Sequence, residues 1–560
     1  MKRFVPIVLT VLVIWQGGFP DMAWLICGAA AAVLLIARFR TLPPPILLLF
    51  FAGLIGSFVL SAVINGGHME GWMGTVKCLI AMLWVVALYN VKPDIEGSIF
   101  VPGLVAAVAG LLAFSGLLPL PGMMSYGRLQ GLFQYANALA LFLGVCALLT
   151  RLSGKHARYA GLMEAALYLT GSVGGIAVFL GGWALTALTR KEERPVIRAQ
   201  IPSMLTAALC TAAMFALARW VTPFLAALPP FAFWLLHKHI PKLPRRGWLF
   251  WAAAPALMLA TVFFAVNGTR PLLTYVSRLI QMGDGINVLL HNPLGLGPGA
   301  WTFQVSAWQS AYYDAALIHS GYVALAVDAG WPALMFCALL IWRRLRNRPL
   351  SKYGIAVCMV LFHALFDISL SFLAVILLLC MLGIAELPEG RTHTRRFRTV
   401  WVIPCLLCMA LALPLTVKNR ASWAARDGSY AEAVKLLDTG ILESDTEAQM
   451  MRLRWSVTLP DVTFDQAFAA LKDPNAEAYA LRAGRFLRQR DIGGAARMAE
   501  LCIQNAPYVL NGYTIMERVM EQMEPGPRGK YAAKLDEWRE AALARMHPWA
   551  KYIQDEQGLR

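Results

Sequence analysis

Apolar runs of about 20 residues recur along this chain from Phe4 to Val417, and each is long enough to cross a hydrocarbon core of ~30 Å. Of the 560 residues, 58% are hydrophobic and 15% charged. Soluble domains carry nearer a quarter of charged residues. The expected fold class is therefore all-α: a polytopic helical membrane bundle.

The formal net charge is +17, from 50 Lys and Arg against 33 Asp and Glu. In a soluble chain that excess would suggest nucleic acid. Here the basic residues gather in short loops: Arg38–Arg40, Arg151–Arg158, Arg190–Arg198, His237–Arg246, Arg343–Lys352 and Arg391–Arg398. That is the pattern of cytoplasmic loops beside anionic lipid, so no nucleic-acid partner is expected.

Threading those loops on one side gives about 15 membrane segments, with the N-terminus inside and residues beyond Val417 outside. The Met1–Trp15 start has a signal-peptide look. No small-residue cleavage site follows, and a retained first helix is expected. The stretch Tyr159–Thr189 has basic flanks on both sides, so it reads as a hairpin with its tip at Thr170–Gly175. Legs that short must be buried in the bundle or thin the bilayer.

Nine of the ten cysteines lie in apolar segments and read as small hydrophobes. Only Cys502 lies in the polar tail, which excludes a disulfide within it. No Cys/His spacing suggests zinc, and neither a metal nor a cofactor is expected.

Two domains are expected: a membrane domain over residues 1–417 and an external helical domain over 418–560. In the second, Ala425-Arg426-Asp427-Gly428 and Gln489-Arg490-Asp491-Ile492-Gly493 each lead from an Asp-containing turn into an Ala-rich helix. The pattern resembles degenerate tetratricopeptide repeats. An unspecific helical tail is the alternative.

The outer end carries three polar stretches: Gly127–Ala138, the tip Thr170–Gly175, and a long loop over about 267–316 followed by His319. Long polar loops in a membrane protein are where chemistry sits. Arg128 and Arg278 offer planar guanidinium forks for phosphate oxygens, or else snorkel to the interface. His319 suits a general base, or a helix-end residue bonding a carbonyl. Nearby arginines would keep it neutral. Gly295, Gly297 and Gly299 would let backbone N–H groups approach an anion. Their Gly-Leu-Gly-Pro-Gly run follows no strand and contains proline, which excludes a dinucleotide loop. His363 and Asp367, spaced i, i+4, form either a polar clamp or part of the site.

Together these motifs resemble the O-antigen ligase / O-antigen polymerase family of membrane glycosyltransferases of the GT-C type. The residues that carry the likeness are Arg128-x-x-Gly131 with Asn137, Ser277-Arg278, Asn292-Pro293-Leu294-Gly295-Leu296-Gly297-Pro298-Gly299, and His319-x-x-Tyr322 with Asp328-x-Gly330. The resemblance implies that Arg278 grips a lipid diphosphate and that His319 is catalytic. Relatives also carry external repeat domains. Two positions depart from the family pattern. The hairpin-tip arginine is replaced by Val173, leaving one phosphate contact for Arg128, Arg270 or Arg219 to make. The usual His-Asn reads His319-Ser320.

The expected activity is glycan transfer from a polyprenyl diphosphate carrier to a glycan, lipid or protein acceptor at the outer face of the cytoplasmic membrane. Ligase and polymerase are not separated by these motifs. An external repeat domain would suit a protein partner. The competing class is a transporter or flippase of lipid-linked sugars, which predicts ionisable groups scattered at mid-bilayer and internal repeat symmetry. This chain instead gathers its polar groups at one end.

Overall fold

The computed structural model describes residues 3–66, 68–236, 270–313, 316–346, 350–385, 387 and 395–550. The expected segment Trp248–Val266, and residues 267–269 at the start of the long loop, lie outside these.

The architecture is all-α. The one sheet among the described residues is a two-stranded hairpin, Met124–Ser125 paired antiparallel with Arg128–Leu129. Eight helices among the described residues are long and apolar enough to cross a membrane. Shorter apolar helices, such as Phe4–Ile14, Val173–Thr189, Lys352–His363 and Leu373–Ile384, complete the bundle. The core runs through both classes, with Trp84, Phe142 and Phe179 fully buried.

The expected hairpin is present as two helices, Ala157–Leu169 and Val173–Thr189, turning at Gly171 with φ 58°. The first leg is buried along Ala160–Leu169, which is how so short a helix is accommodated. The second lies close against the helix Ala136–Ser153, because Gly175 lacks the Cβ that would overlap Ala140.

Contacts between turns sort the bundle into two ends. At one, the Arg40 N–H donates to Asn90 Oδ1 (2.7 Å), Arg398 Nε donates to Phe39 O (3.2 Å), and Lys352 pairs with Glu96. At the other, Phe19 meets Phe372 with ring centroids 5.1 Å apart and Arg128 meets the hairpin tip. The first end carries the described basic residues Arg40, Lys352 and Arg398.

The polar C-terminal helices pack at the second end: the Met69 N–H donates to Ser444 O (3.1 Å) and the Glu447 N–H to Glu70 Oε1 (3.0 Å). The boundary expected at 417/418 falls inside one unbroken helix, Val402–Arg426. At about 1.5 Å per residue it carries the chain directly from apolar to polar surroundings. Lys418, just past the apolar part, is fixed by Asp445 (3.0 Å) and Glu447 (2.5 Å). Beyond it, the helices Ala476–Arg488 and Ile492–Asn505 form an antiparallel pair. Asp491 Oδ1 caps the second from the Gly494 N–H (2.8 Å), and buried Ala476 and Ala480 of the first pack against Cys502 and Ala506.

Candidate functional site

The site is assembled from four turns at the second end of the bundle. In the hairpin, Tyr126 (φ 48°) and Gly127 (φ 74°) both occupy the left-handed region between paired Ser125 and Arg128. A two-residue turn of that kind matches strand twist and fixes the direction in which Arg128 leaves. Its Nε donates to Thr170 O at the hairpin tip (2.9 Å) and its Nη2 to Asn137 Oδ1 (3.2 Å).

Arg278 comes from the helix Arg270–His291. Its Nη1 donates to Phe366 O (2.9 Å) and lies 3.4 Å from Asp367 Oδ2. Its Nε is buried and has no acceptor among the described residues. Burial first, and the nearby charge of Arg278, lower the Arg128 pKa.

Asp367 joins the two sides. Its Oδ2 accepts from Asn137 Nδ2 (2.7 Å) and Tyr135 OH (3.0 Å), and its Oδ1 from Ser369 Oγ (3.3 Å). Ser369 Oγ also lies 2.7 Å from His363 Nδ1. The sequence spacing suggested a direct i, i+4 clamp between His363 and Asp367. The helix ends at His363, so the two meet across a turn with Ser369 between them. His363 is buried and is linked to the arginines only through Ser369 and Asp367.

His319 precedes the helix Gly321–Arg346, whose start is docked by the Gly321 N–H on Ala364 O (2.7 Å). Its Nδ1 lies 3.0 Å from Gln281 Oε1, and Gln281 Nε2 donates to Ser277 Oγ (3.1 Å). With Oε1 towards the ring, Gln281 is an acceptor for Nδ1–H, the tautomer that leaves the lone pair on Nε2; the Leu317 backbone also hydrogen-bonds the ring. Burial first, then the charge of Arg278, lowers the His319 pKa to about 4. The imidazole is therefore neutral at pH 7.

Gly297 and Gly299 do not join this cluster. The loop Asn292–Gly299 wraps instead around a break in the next helix at Gly330, whose φ is 76°. The Leu296 N–H donates to Val327 O (2.7 Å), the Trp331 N–H to Pro293 O (3.0 Å), and the Gly299 N–H faces the Asp328 carboxylate. A Cβ at Gly330 would come within 2.5 Å of Pro293 O. The Asp328-x-Gly330 motif thus docks the glycine loop, and the N–H groups of Gly295, Leu296 and Gly299 are engaged by protein acceptors. Arg219 has no contact with the cluster among those described here, and the Arg270 side chain lies outside the described residues.

Sequence reasoning passed over Gln281, Ser369 and Tyr135. The signal for Gln281 was present: Ser277 and Gln281 share a helix face one turn apart, flanking Arg278. Ser369 and Tyr135 had no such signal, since their roles exist only once separate turns converge. Among the described residues no group of three or more His, Cys, Asp or Glu could hold a metal ion. Compared with protein-family models, curated proteins and solved structures, the chain matches none of them.

Proposed function

We propose that this protein is a metal-independent membrane glycosyltransferase of the O-antigen ligase or polymerase type, moving a glycan from a polyprenyl diphosphate to an acceptor hydroxyl. The reading includes about 15 membrane segments, a cytoplasmic-membrane location, and a tetratricopeptide-like domain over 418–560 on the outer side. The single observation that carries it is the pairing of an anion cradle with a neutral imidazole. Arg278 offers a buried Nε donor with no protein acceptor among the described residues, Arg128 is near enough to feel its charge, and so is the unprotonated His319.

In the proposed step the acceptor oxygen attacks the anomeric carbon, and the new C–O bond forms as the bond to the diphosphate oxygen breaks. The diphosphate leaves with the electron pair, its charge held by Arg278 and Arg128. His319 Nε2 takes the acceptor proton. Asp367 holds Arg278 in place without neutralising both guanidiniums. Arg128, held against the hairpin tip by Thr170, supports its serving where Val173 replaces the family arginine.

The test is glycan transfer by purified, reconstituted protein. His319→Ala should lower the rate by about 10²–10⁴-fold, the usual contribution of a general base, while donor still binds. Transfer at the wild-type rate would remove His319 from this role.

A further inference from the structure

A second cavity of about 450 Å³ opens at the same end of the bundle, between the membrane helices, the glycine loop and the C-terminal helices. None of its lining residues belongs to the arginine cluster. We infer that this groove binds the uncharged, hydroxyl-rich part of an oligosaccharide acceptor; the inference rests on the glycan-transfer reading above.

The chemistry of the lining favours that ligand class. Two exposed carboxylates, Glu443 and Asp473, face one lysine, Lys472, with Glu70 and His68 also in the lining. This lining lacks the paired guanidiniums that an anion meets at the Arg128–Arg278 site. Gln304, Asn475 and Asn505 add amides. A sugar hydroxyl is both donor and acceptor, and amides and carboxylates together match it. Phe303 and Pro298 supply apolar surface for a ring face. Glu70 also carries an unused acceptor. Its Oε1 takes the Glu447 N–H, whereas Oε2 is buried without a partner among the described residues. Buried acceptors are ordinarily satisfied, so a ligand hydroxyl has a place to donate.

The groove is built and is aligned with the proposed base. Asn65 Nδ2 donates to Gly295 O (3.2 Å), and the left-handed Gly297 and Gly299 turn against Asn65 and Glu70, where Cβ atoms would approach to 3.5 and 3.0 Å. The same loop is bonded to Val327, six residues into the helix that follows His319, or about 9 Å of helix at 1.5 Å per residue. A short oligosaccharide lying in the groove has a terminal hydroxyl within reach of His319. The glycines singled out in the sequence thus serve an acceptor surface rather than the diphosphate.

The test uses the full chain in detergent. Its probe is the oligosaccharide pool freed by mild acid from the polyprenyl diphosphate lipids of the native host and labelled at its reducing end. This probe carries neither lipid nor diphosphate. Saturable binding is expected for the wild type and for Arg278→Ala. It should weaken by roughly tenfold when two exposed lining residues are removed together in Gln304→Ala/Asp473→Ala. Binding unchanged in that double variant, binding lost in Arg278→Ala, or binding of polar peptides in place of the oligosaccharide would each overturn the groove assignment. A transfer assay separates the two readings. Probe binding that obeys the groove variants, with no transfer by wild-type protein, sinks the transfer reading alone. Normal transfer and acceptor KM in the groove variant sink the groove alone.

Discussion

Gln281 Oε1 lies 3.0 Å from His319 Nδ1, a contact that favours the imidazole tautomer with its proton on Nδ1. Gln281 is a positioning residue, and its effect is separable from bulk folding by a pH profile. Gln281→Glu would place a carboxylate on Nδ1 and favour the imidazolium. The acid limb of transfer activity should therefore move to higher pH. Gln281→Met should lower kcat by less than His319→Ala does, and should leave donor binding unaltered. An acid limb that stays put in Gln281→Glu would disconnect this residue from the base.

The His319 shift fixes the pH window of the wild type. Its pKa falls from 6.5 to about 4, so the base form persists down to that range. Transfer should stay level from pH 7 to about 5 and fall as pH drops through about 4, and this limb should be absent from His319→Ala. The same shift acts on stability. Between the two values the unfolded chain binds the proton and the folded chain does not, so this group's contribution is full above 6.5 and is lost towards 4. Stability of the wild type relative to His319→Ala, measured at pH 7 and pH 5, should narrow at the lower pH.

Much of this was written in the chain, though unevenly. The helical class followed from run length alone, because apolar segments near 20 residues leave few alternatives. The buried hairpin followed from like charges flanking Tyr159–Thr189. Arg278 and His319 stood out because one lies within and the other just after the polar stretch 267–316; expected as a loop, that stretch instead holds the helices Arg270–His291 and Ala300–Trp308. What sequence could not give was convergence. Asp367 binds groups from residues 135, 137, 278 and 369, and no local pattern announces such a meeting. Nor does sequence show that the left-handed residues of the glycine loop pack around the bend at Gly330, away from the arginines.

Arg278 and Arg128 should respond differently to lysine. Arg278 keeps Nε unpaired, so Arg278→Lys retains one charge but loses the planar fork; transfer should be mostly lost with the fold intact. Arg128 uses Nε and Nη2 internally, on Thr170 and Asn137. Arg128→Lys cannot hold both, and should cost about 1–3 kcal/mol of stability as well as activity. Thermal unfolding of the two purified variants, set beside their transfer rates, distinguishes an anion grip from a structural tie.

A buried pair far from the site offers an independent check on the bundle. Arg151 and Glu164 are both fully buried, with Arg151 Nη2 donating to Glu164 Oε2 (2.6 Å) and Nη1 to Gln200 Oε1 (2.7 Å). They tie the helix Ala136–Ser153 to the helices Ala157–Leu169 and Arg194–Trp220. Removing one partner leaves an uncompensated buried charge, so Arg151→Met should destabilise by roughly 3–5 kcal/mol. Arg151→Met/Glu164→Leu should recover much of that loss. A double variant no more stable than the single one would mean that the tie to Gln200, rather than the ion pair, carries the effect.

The arrangement of turns also predicts which surfaces share a side of the membrane. The tip residue Tyr126 and the C-terminal residue Glu432 are both exposed, at the end that carries the arginine cluster; Arg40 is exposed at the other. The native cysteines among the described residues are buried or half-buried and give low background. In oriented vesicles a membrane-impermeant maleimide should label Tyr126→Cys and Glu432→Cys from one side and Arg40→Cys from the other. With basic loops inside, the first two should react from the outer face. Labelling of Glu432→Cys together with Arg40→Cys would put the C-terminal helices opposite the arginines. The donor site, the groove and the contact between Glu70 and the Glu447 N–H could then not coexist at one surface, and the transfer scheme would lose its geometry.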